Sequence, residues 1–262
     1  MKKLAIIYDY DQTLTTRDST FSLTELGIGE SFYQEVEKYR KQSNMEMILS
    51  CLYMVCKIGK EKNNPITKKF LNDAGQRVEF FQGVETWFQR INKYGAKHGF
   101  EIEHYIISSG IKEIIEGGKI ANNFKKIFSS EFHYDKKGQA DWPLSSVNYT
   151  NKTQFIFRIS KGLLNNLNDN ELNDYMEKDK RAVQYKNMIY IGDGLTDVPC
   201  MKIMKQKGGF AIAVFDKNEE KAKTLFNHGR CHRYCKADYL ENSVLDRYVK
   251  DRIRFLSRND QK

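Results

Sequence analysis

The fold of this chain is indicated most strongly by a stretch near its start, Leu4-Ala5-Ile6-Ile7-Tyr8-Asp9-Tyr10-Asp11-Gln12-Thr13-Leu14-Thr15. Its apolar beginning has the length and composition of a short buried strand. Asp9 and Asp11 follow directly. Ligands of open α/β sheets bind at the carboxyl ends of the strands, and neighbouring carboxylates repel each other unless a cation joins them or one keeps its proton. The stretch therefore predicts either a metal-assisted acid pair or a strand followed by an ordinary acidic turn.

Two further segments repeat the pattern of an apolar strand followed by polar residues. In Tyr105-Ile106-Ile107-Ser108-Ser109-Gly110-Ile111-Lys112, a hydroxyl and a glycine precede an expected helix start. In Asn187-Met188-Ile189-Tyr190-Ile191-Gly192-Asp193-Gly194-Leu195-Thr196-Asp197, Gly-Asp-Gly and a second Asp follow the strand. A hydroxyl beside free N–H groups suits a phosphate, and glycines allow close backbone approach. The three segments together predict one polar site at adjacent strand ends.

These motifs resemble those of the haloacid dehalogenase-like (HAD) superfamily of Mg²⁺-dependent phosphatases, most closely its phosphoserine-phosphatase-like branch. The resemblance extends from about Lys2 to the strand near Phe215. It implies an α/β fold, with a Rossmann-like open parallel sheet as its core, an inserted α-helical cap of the C1 type and a small β-hairpin. The implied division places the core domain at 1–15 and 83–262 and the cap domain at 16–82.

The resemblance also implies catalytic roles. Asp9 matches the family nucleophile, which attacks phosphorus to give an aspartyl-phosphate. Asp11 matches the acid that protonates the leaving oxygen and then activates water. Dehalogenases of the family lack this second Asp, so its presence favours phosphate chemistry. Gln12 departs from the family, which has Gly here; it either adopts the same dihedrals or points its amide toward the cleft.

The implied Mg²⁺ ligands are the Asp9 carboxylate, the Asp11 main-chain carbonyl and Asp193. Asp197 matches the outer acid that holds metal-bound water or the motif lysine. The metal and this lysine would neutralise charge on the transferring phosphoryl group.

The implied phosphate-binding groups are the Ser108 hydroxyl, the nearby amides of Ser109 and Gly110, and a lysine. Two lysines are candidates. Lys152 would begin a helix covering 153–159, capped by Thr150 or Asn151, whereas Lys161 lies near the end of that helix. We expect Lys152 to bind the phosphate, and a solvated surface lysine is the alternative for either.

The remaining segments fit this organisation. Apolar residues recur at helical spacing in 31–39 and 45–55, and Pro65-Ile66-Thr67 resembles another helix start. Phe80-Phe81-Gln82-Gly83-Val84 is interpreted as the return into the core. The predicted helices and strands that follow are a helix at 85–94, a helix at 111–124, a hairpin outside the main sheet at 131–142, a polar loop with a short helix at 165–180, a fourth core strand at 209–215, and helices at 218–226 and 243–256.

The segment His228-Gly229-Arg230-Cys231-His232-Arg233-Tyr234-Cys235 combines four potential ligands of a soft metal. Its Cys-x-x-x-Cys spacing matches no common zinc knuckle. The favoured interpretation is a loop that leads into a last short strand, with partly buried cysteines, and zinc binding is the minor alternative.

Composition limits the class of protein. The chain has 262 residues, a formal charge of +9 and five cysteines. An odd number of cysteines fits free thiols in a reducing compartment. No segment approaches the about 20 apolar residues that span a bilayer. The positive charges are scattered and broken by acids, which predicts a general surface bias or a basic cleft rather than a nucleic-acid interface. We therefore expect a cytoplasmic protein with neither a nucleic-acid nor a membrane partner, and oligomeric state is left open.

The expected function is hydrolysis of a small phosphorylated metabolite, dependent on Mg²⁺ and passing through an aspartyl-phosphate. The alternatives are a non-catalytic protein that binds phosphorylated ligands on the HAD fold, or a phosphomutase. If the substrate were phosphoserine, Glu25 or Arg17 could contact its amine or carboxylate, although each could equally be a surface residue.

Overall fold

The computed structural model describes residues 1–165 and 169–259. Their centre is a seven-stranded sheet in the order β4-β3-β2-β1-β5-β6-β7. All neighbouring strands run parallel except β3 and β4, which are antiparallel. The strands are β1 Lys2–Tyr8, β2 Phe100–Ile111, β3 Lys126–Tyr134, β4 Ala140–Ser145, β5 Met188–Gly192, β6 Phe210–Phe215 and β7 Arg233–Lys236. The predicted open parallel α/β fold is confirmed.

Ten α-helices are present in the described ranges. They are α1 Glu30–Ser43, α2 Met47–Glu61, α3 Lys68–Gly75, α4 Val84–Lys97, α5 Lys112–Gly117, α6 Lys152–Lys161, α7 Asp169–Asn173, α8 Val198–Lys207, α9 Glu220–Asn227 and α10 Val244–Asn259. Residues 166–168 of the predicted polar loop lie outside the described residues. No helix in the described part of the chain is long and apolar enough to cross a membrane.

Side chains alternate across the central strand β1. Leu4, Ile6 and Tyr8 pack into an apolar cluster that includes residues of α4 and α10, whereas Ala5 and Ile7 join a second cluster with residues of α6 and α8. Successive residues of a strand face opposite sides, and all five side chains are fully buried. A sheet covered on both faces explains why its central strand is a continuous apolar run.

Helices α1 to α3 follow β1 and come before the next strand. The chain leaves and re-enters the sheet region at adjacent points, because Thr15 and Phe80 form an isolated antiparallel bridge. The helix start predicted at 65–67 is present, since the Thr67 hydroxyl accepts a hydrogen bond from the Phe70 amide at 3.1 Å.

Two predicted elements were wrong in extent or place. The helix expected at 111–124 ends at Gly117, because Gly118 turns to extended backbone at ψ 151°, and a short 3-10 turn follows. The hairpin expected outside the main sheet is part of it: β3 pairs with β2, and β4 forms the sheet edge. The aromatic and β-branched residues of the hairpin predicted that its strands exist. They could not predict that β3 pairs with β2, because no local pattern in the sequence marks a partner strand.

Candidate active site

The predicted polar residues meet at one edge of the sheet. Asp9 follows the central strand β1, Asp193 follows its neighbour β5, and Ser108 lies near the end of its other neighbour, β2. The Asp9 amide donates a hydrogen bond to the Ile191 carbonyl at 2.9 Å, which continues the pairing of β1 with β5. The strand order therefore brings together three motifs that are far apart in sequence.

Lys152 lies at the centre of this group. Its side chain is 1% exposed, and its Nζ is 3.0 Å from Asp9 Oδ2 and 2.9 Å from Asp197 Oδ1. Burial alone would lower the pKa of the lysine, but the carboxylates of Asp197 and Asp9 outweigh it and raise that pKa. Lys152 is therefore a fixed positive charge between two acids.

Lys161 lies away from the acids. It ends α6, and its Nζ donates hydrogen bonds to the carbonyls of Glu171 and Leu172 at 2.9 and 2.7 Å. Ahead of the helix, the Asn148 side-chain oxygen accepts hydrogen bonds from the Thr150 and Asn151 amides, both at 3.1 Å. The side chain of Asn151, an expected cap, instead accepts from the Asn148 amide at 2.8 Å. This turn fixes the start of α6 and directs Lys152 into the site.

Asp197 is held from several sides and is fully buried. Its Oδ1 accepts a hydrogen bond from the Tyr190 hydroxyl at 2.7 Å, and its Oδ2 accepts one from the Gly194 amide at 3.0 Å. A Cβ at Gly192 would collide with the Asp197 carboxylate, so glycine is needed there for close approach. Sequence reasoning missed Tyr190, because a tyrosine within an apolar strand gives no sign of which face it takes.

Asp9, Asp193 and Asp197 offer carboxylate oxygens within 4.8 Å of one another. Burial, and then the charge of Asp197, raise the pKa of Asp9 to about 7, and the same two causes raise the pKa of Asp193. Clustered carboxylates with raised pKa values are stabilised by a divalent cation, and oxygen donors are those that Mg²⁺ prefers. The donor set therefore fits the implied metal.

Asp11 is oriented by the backbone. Its Oδ1 accepts a hydrogen bond from the Ser19 amide at 2.7 Å. Its Oδ2 lies 3.0 Å from where a Cβ on Gly110 would be, so glycine makes room for the carboxyl group. Burial, and then the nearby charge of Asp18, raise the pKa of Asp11 well above its usual value. A carboxyl group whose pKa is raised is better suited to donate a proton to a leaving group.

Ser108 lies within the extended end of β2 rather than after it. The pairing of β2 with β3 shifts register between Ile107 and Ile111, which marks an irregular stretch. The Ser108 hydroxyl is buried and accepts a hydrogen bond from the Gly110 amide at 3.1 Å. In the described part of the chain, Ser109 Oγ is buried without a hydrogen-bond partner. Of the two amides expected to bind phosphate, that of Gly110 already donates its hydrogen bond to the Ser108 hydroxyl.

Gln12 agrees with both expectations for a residue that replaces glycine: its backbone takes a conformation that favours glycine, and its side chain lies at a cavity. Its φ of +55° lies in the left-handed region, which a non-glycine residue enters at a cost of about 1–2 kcal/mol. Its side chain is exposed and lines a cavity of about 280 Å³ together with Asp193 and Lys221. Lys221 Nζ lies 3.3 Å from Asp193 Oδ2. The sequence did not predict this contact, because nothing in the pattern of α9 distinguishes Lys221 from a surface lysine.

The cysteine and histidine segment forms no metal site in the described residues. Cys231 packs in one core cluster and Cys235 in the other, and His232 Nδ1 accepts a hydrogen bond from the Ala211 amide at 3.0 Å. The short strand predicted there is β7. The two thiols pack in different core clusters, so among the described residues the geometry favours the loop and strand over the minor zinc alternative.

A family model for haloacid dehalogenase-like hydrolases matches residues 6–202. The chain belongs to this family. The match spans β1 to the start of α8, so it includes every element that carries the acids described above. The family prediction made from the motifs is thus confirmed, and the chain is an HAD-family hydrolase.

Individual proteins are also similar to this chain. An uncharacterized protein of Borreliella burgdorferi is 29% identical, with 95% of this chain and 96% of that protein covered. A HAD family hydrolase from Salmonella enterica serovar Typhi superposes with a TM-score of 0.60 at 20% identity, covering 90% of this chain and 68% of the other. A phosphoserine phosphatase in apo form gives 0.59 at 12% identity, with 90% and 96% covered. At these identities the structural likeness concerns the fold.

Proposed function

We propose that this hydrolase cleaves phosphomonoesters of small metabolites, with Mg²⁺ as cofactor and Asp9 as the residue that becomes phosphorylated. The observation that carries the proposal is the position of Lys152, which bridges Asp9 and Asp197 beside Asp193. A buried ammonium that bridges two acids supplies positive charge where a phosphoryl oxygen would lie next to the nucleophile. Asp11, two residues further on, supplies the proton.

In the first step an Asp9 carboxylate oxygen attacks phosphorus, and the bond between phosphorus and the ester oxygen breaks. The leaving oxygen takes the proton of Asp11, whose raised pKa keeps that proton available. The products are an alcohol, phosphorylated Asp9 and an ionised Asp11.

In the second step the ionised Asp11 accepts a proton from water while the water oxygen attacks phosphorus. The acyl–phosphate bond breaks, inorganic phosphate leaves and Asp9 regains its carboxylate. Asp11 is protonated again, so each residue returns to its initial state.

Charge on the phosphoryl group is met by three kinds of donor. The Lys152 ammonium and the Ser108 hydroxyl would contact its oxygens, and Ser109 and Gly110 would lie beside them. Mg²⁺, held by the Asp9 carboxylate, the Asp11 main-chain carbonyl and Asp193, would supply further positive charge. Asp197 would fix Lys152 from behind, with Tyr190 and the Gly194 amide holding Asp197 in turn.

Residues 16–82 are proposed to act as a cap over a core formed by 1–15 and 83–262. The bridge between Thr15 and Phe80 supports a paired hinge at this boundary. Closing such a unit over the site would exclude water during phosphoryl transfer.

The test is phosphate release from a panel of small phosphomonoesters, with Mg²⁺ or with a chelator, by wild type and Asp9→Asn. We expect release by the wild type with Mg²⁺ only, and none by a folded Asp9→Asn protein. Turnover by that variant would refute the nucleophile, and turnover in the chelator would refute the metal. A protein that bound the esters without releasing phosphate would instead be the non-catalytic alternative.

A further inference from the structure

A second cavity, of about 90 Å³, shares no lining residue with the one that Gln12 lines. Asp11, Ser109 and Gly110 belong to its lining, and the phosphoryl group would be bound beside them. Asp193 and Gln12 line the larger cavity, and Asp11 does not. Because Asp11 would protonate the leaving oxygen, the leaving group must extend into the smaller cavity.

The polar wall of this cavity offers only acids and hydroxyls. Asp18 lines it with Thr20 and Tyr33. The Thr20 hydroxyl donates a hydrogen bond to Asp18 Oδ1 at 3.2 Å and lies 2.6 Å from the Tyr33 hydroxyl. No lysine, arginine or histidine lines the cavity, and among the described residues Asp18 forms no ion pair. Asp18 is hydrogen-bonded to Tyr33, Thr20 and Asp11, and burial raises the pKa of Asp18. None of these partners carries positive charge, so a bound cation would stabilise the ionised carboxylate.

The opposite wall comes from α2 and is apolar. Ile48, Leu52 and Val55 face the cavity there. An apolar cavity of about 150 Å³ accommodates benzene, so about 90 Å³ admits a fragment smaller than six carbon atoms. The oxygen, two carbons and nitrogen of an ethanolamine group fit within this space, whereas a nucleoside or a sugar would extend out of its open side.

We propose that the substrate is the phosphate ester of a small amino alcohol without a carboxylate, with its primary ammonium held by Asp18. The proposal rests on the phosphatase activity proposed above and names its substrate class. It excludes phosphoserine, because the carboxylate of that substrate would be a third acid in a pocket that already holds Asp11 and Asp18 and no cation.

The residues first considered for phosphoserine lie elsewhere. Glu25 Oε2 is 2.7 Å from Arg77 and both are exposed. Arg17 is also exposed and places its guanidinium 5.8 Å from the centre of the Phe21 ring. Neither Glu25 nor Arg17 lines the cavity, so Asp18 is the acid positioned to select the leaving group.

The test compares four phosphorylated compounds of similar size: phosphoethanolamine, phosphocholine, glycerol 3-phosphate and phosphoserine. Acetyl phosphate serves as a small reference without an ammonium. We expect kcat/KM for phosphoethanolamine to exceed that for glycerol 3-phosphate and phosphoserine by roughly tenfold or more, with phosphocholine disfavoured by its three methyl groups. Asp18→Asn should remove the preference for the amine, measured as the ratio of kcat/KM for phosphoethanolamine to that for glycerol 3-phosphate. Because Asp18 also raises the pKa of Asp11, acetyl phosphate hydrolysis measures that separate effect. The matched control, Glu25→Gln, should keep both.

Binding to the Asp9→Asn protein, measured by calorimetry, separates the two proposals because it needs no turnover. Preferential binding of phosphoethanolamine there, lost on adding Asp18→Asn, supports the substrate class even if hydrolysis fails. Equal or tighter binding of phosphoserine or glycerol 3-phosphate overturns it, as does a preference that survives Asp18→Asn. If the substrate class is overturned in this way while acetyl phosphate is still hydrolysed, the phosphatase activity is supported and only the substrate class is refuted.

Discussion

At the scale of single residues, Lys152 supplies a buried positive charge between two acids of the site. It is the cation in contact with both Asp9 and Asp197, and its ammonium is almost fully buried. The DxD, Ser-x-Gly and Gly-Asp-Gly motifs could be found from sequence because each is a local pattern. Tyr190 and Asp18 could not, because their importance depends on contacts made across the fold.

The two candidate lysines differ in a testable way. Lys152→Ala should lower kcat/KM by about 10²–10³, the usual loss when one donor to the reacting group is removed. Lys161→Ala should change it little, since Lys161 contacts only backbone carbonyls among the described residues. Phosphate release measures both, and circular dichroism checks the fold of each variant. Equal losses in the two variants would contradict the placement of Lys152.

At the scale of elements, the start of β2 at Phe100 was missed because apolar and polar residues alternate there. The apolar strands β1, β5 and β6 and the 105–107 stretch of β2 were predictable because a strand buried on both faces is a continuous apolar run. The contact between α3 and α5 was not. Each helix approaches the other at a glycine: a Cβ on Gly75 would collide with the Ile114 carbonyl, and one on Gly117 with the Asn72 backbone. This contact joins the last helix of the proposed cap to the core, and the sequence carries no periodic signal for it.

Gly75→Ala should therefore lower the free energy of unfolding by about 1–3 kcal/mol, the cost of overpacking. Gly29→Ala is the matched control, because nothing lies within 4 Å of a Cβ at Gly29. Urea unfolding followed by circular dichroism measures both. If Gly75→Ala were as stable as Gly29→Ala, the two helices would not be in backbone contact.

At the scale of the whole molecule, a buried polar chain crosses the core beneath the site. Trp87 Nε1 donates to the Tyr8 hydroxyl at 2.8 Å, that hydroxyl lies 3.0 Å from His104 Nδ1, and His104 Nε2 lies 2.8 Å from Asn92 Oδ1. Asn92 Oδ1 can only accept, so the proton of the neutral histidine lies on Nε2. Nδ1 then accepts from the Tyr8 hydroxyl, which itself accepts from the indole. Burial lowers the pKa of His104 to about 3.

The buried, neutral His104 predicts how the free energy of unfolding depends on pH. An unfolded histidine has a pKa of about 6.5, so between that pH and about 3 the unfolded state binds a proton that the folded state does not. The contribution of His104 to stability is therefore complete above pH 6.5 and is lost as the pH falls. Between pH 7.5 and 5 the loss should be about 2 kcal/mol.

The control for this prediction is His104→Gln, which cannot titrate in that range. Urea unfolding at the two pH values should show the wild type losing more free energy of unfolding than the variant does. Identical losses in the two proteins would mean that His104 is charged in the folded state.

The central claim is that Asp9 forms the covalent intermediate, and trapping it tests this most directly. In Asp11→Asn, acetyl phosphate can still phosphorylate Asp9 because its leaving group needs no proton, but water is no longer activated. Borohydride reduces an acyl phosphate to an alcohol, which would turn residue 9 into homoserine. We predict homoserine at position 9 by peptide mass spectrometry, dependent on acetyl phosphate and absent from the Asp9→Asn protein. Reduction at a different acid, or none in a protein that consumes acetyl phosphate, would contradict the account.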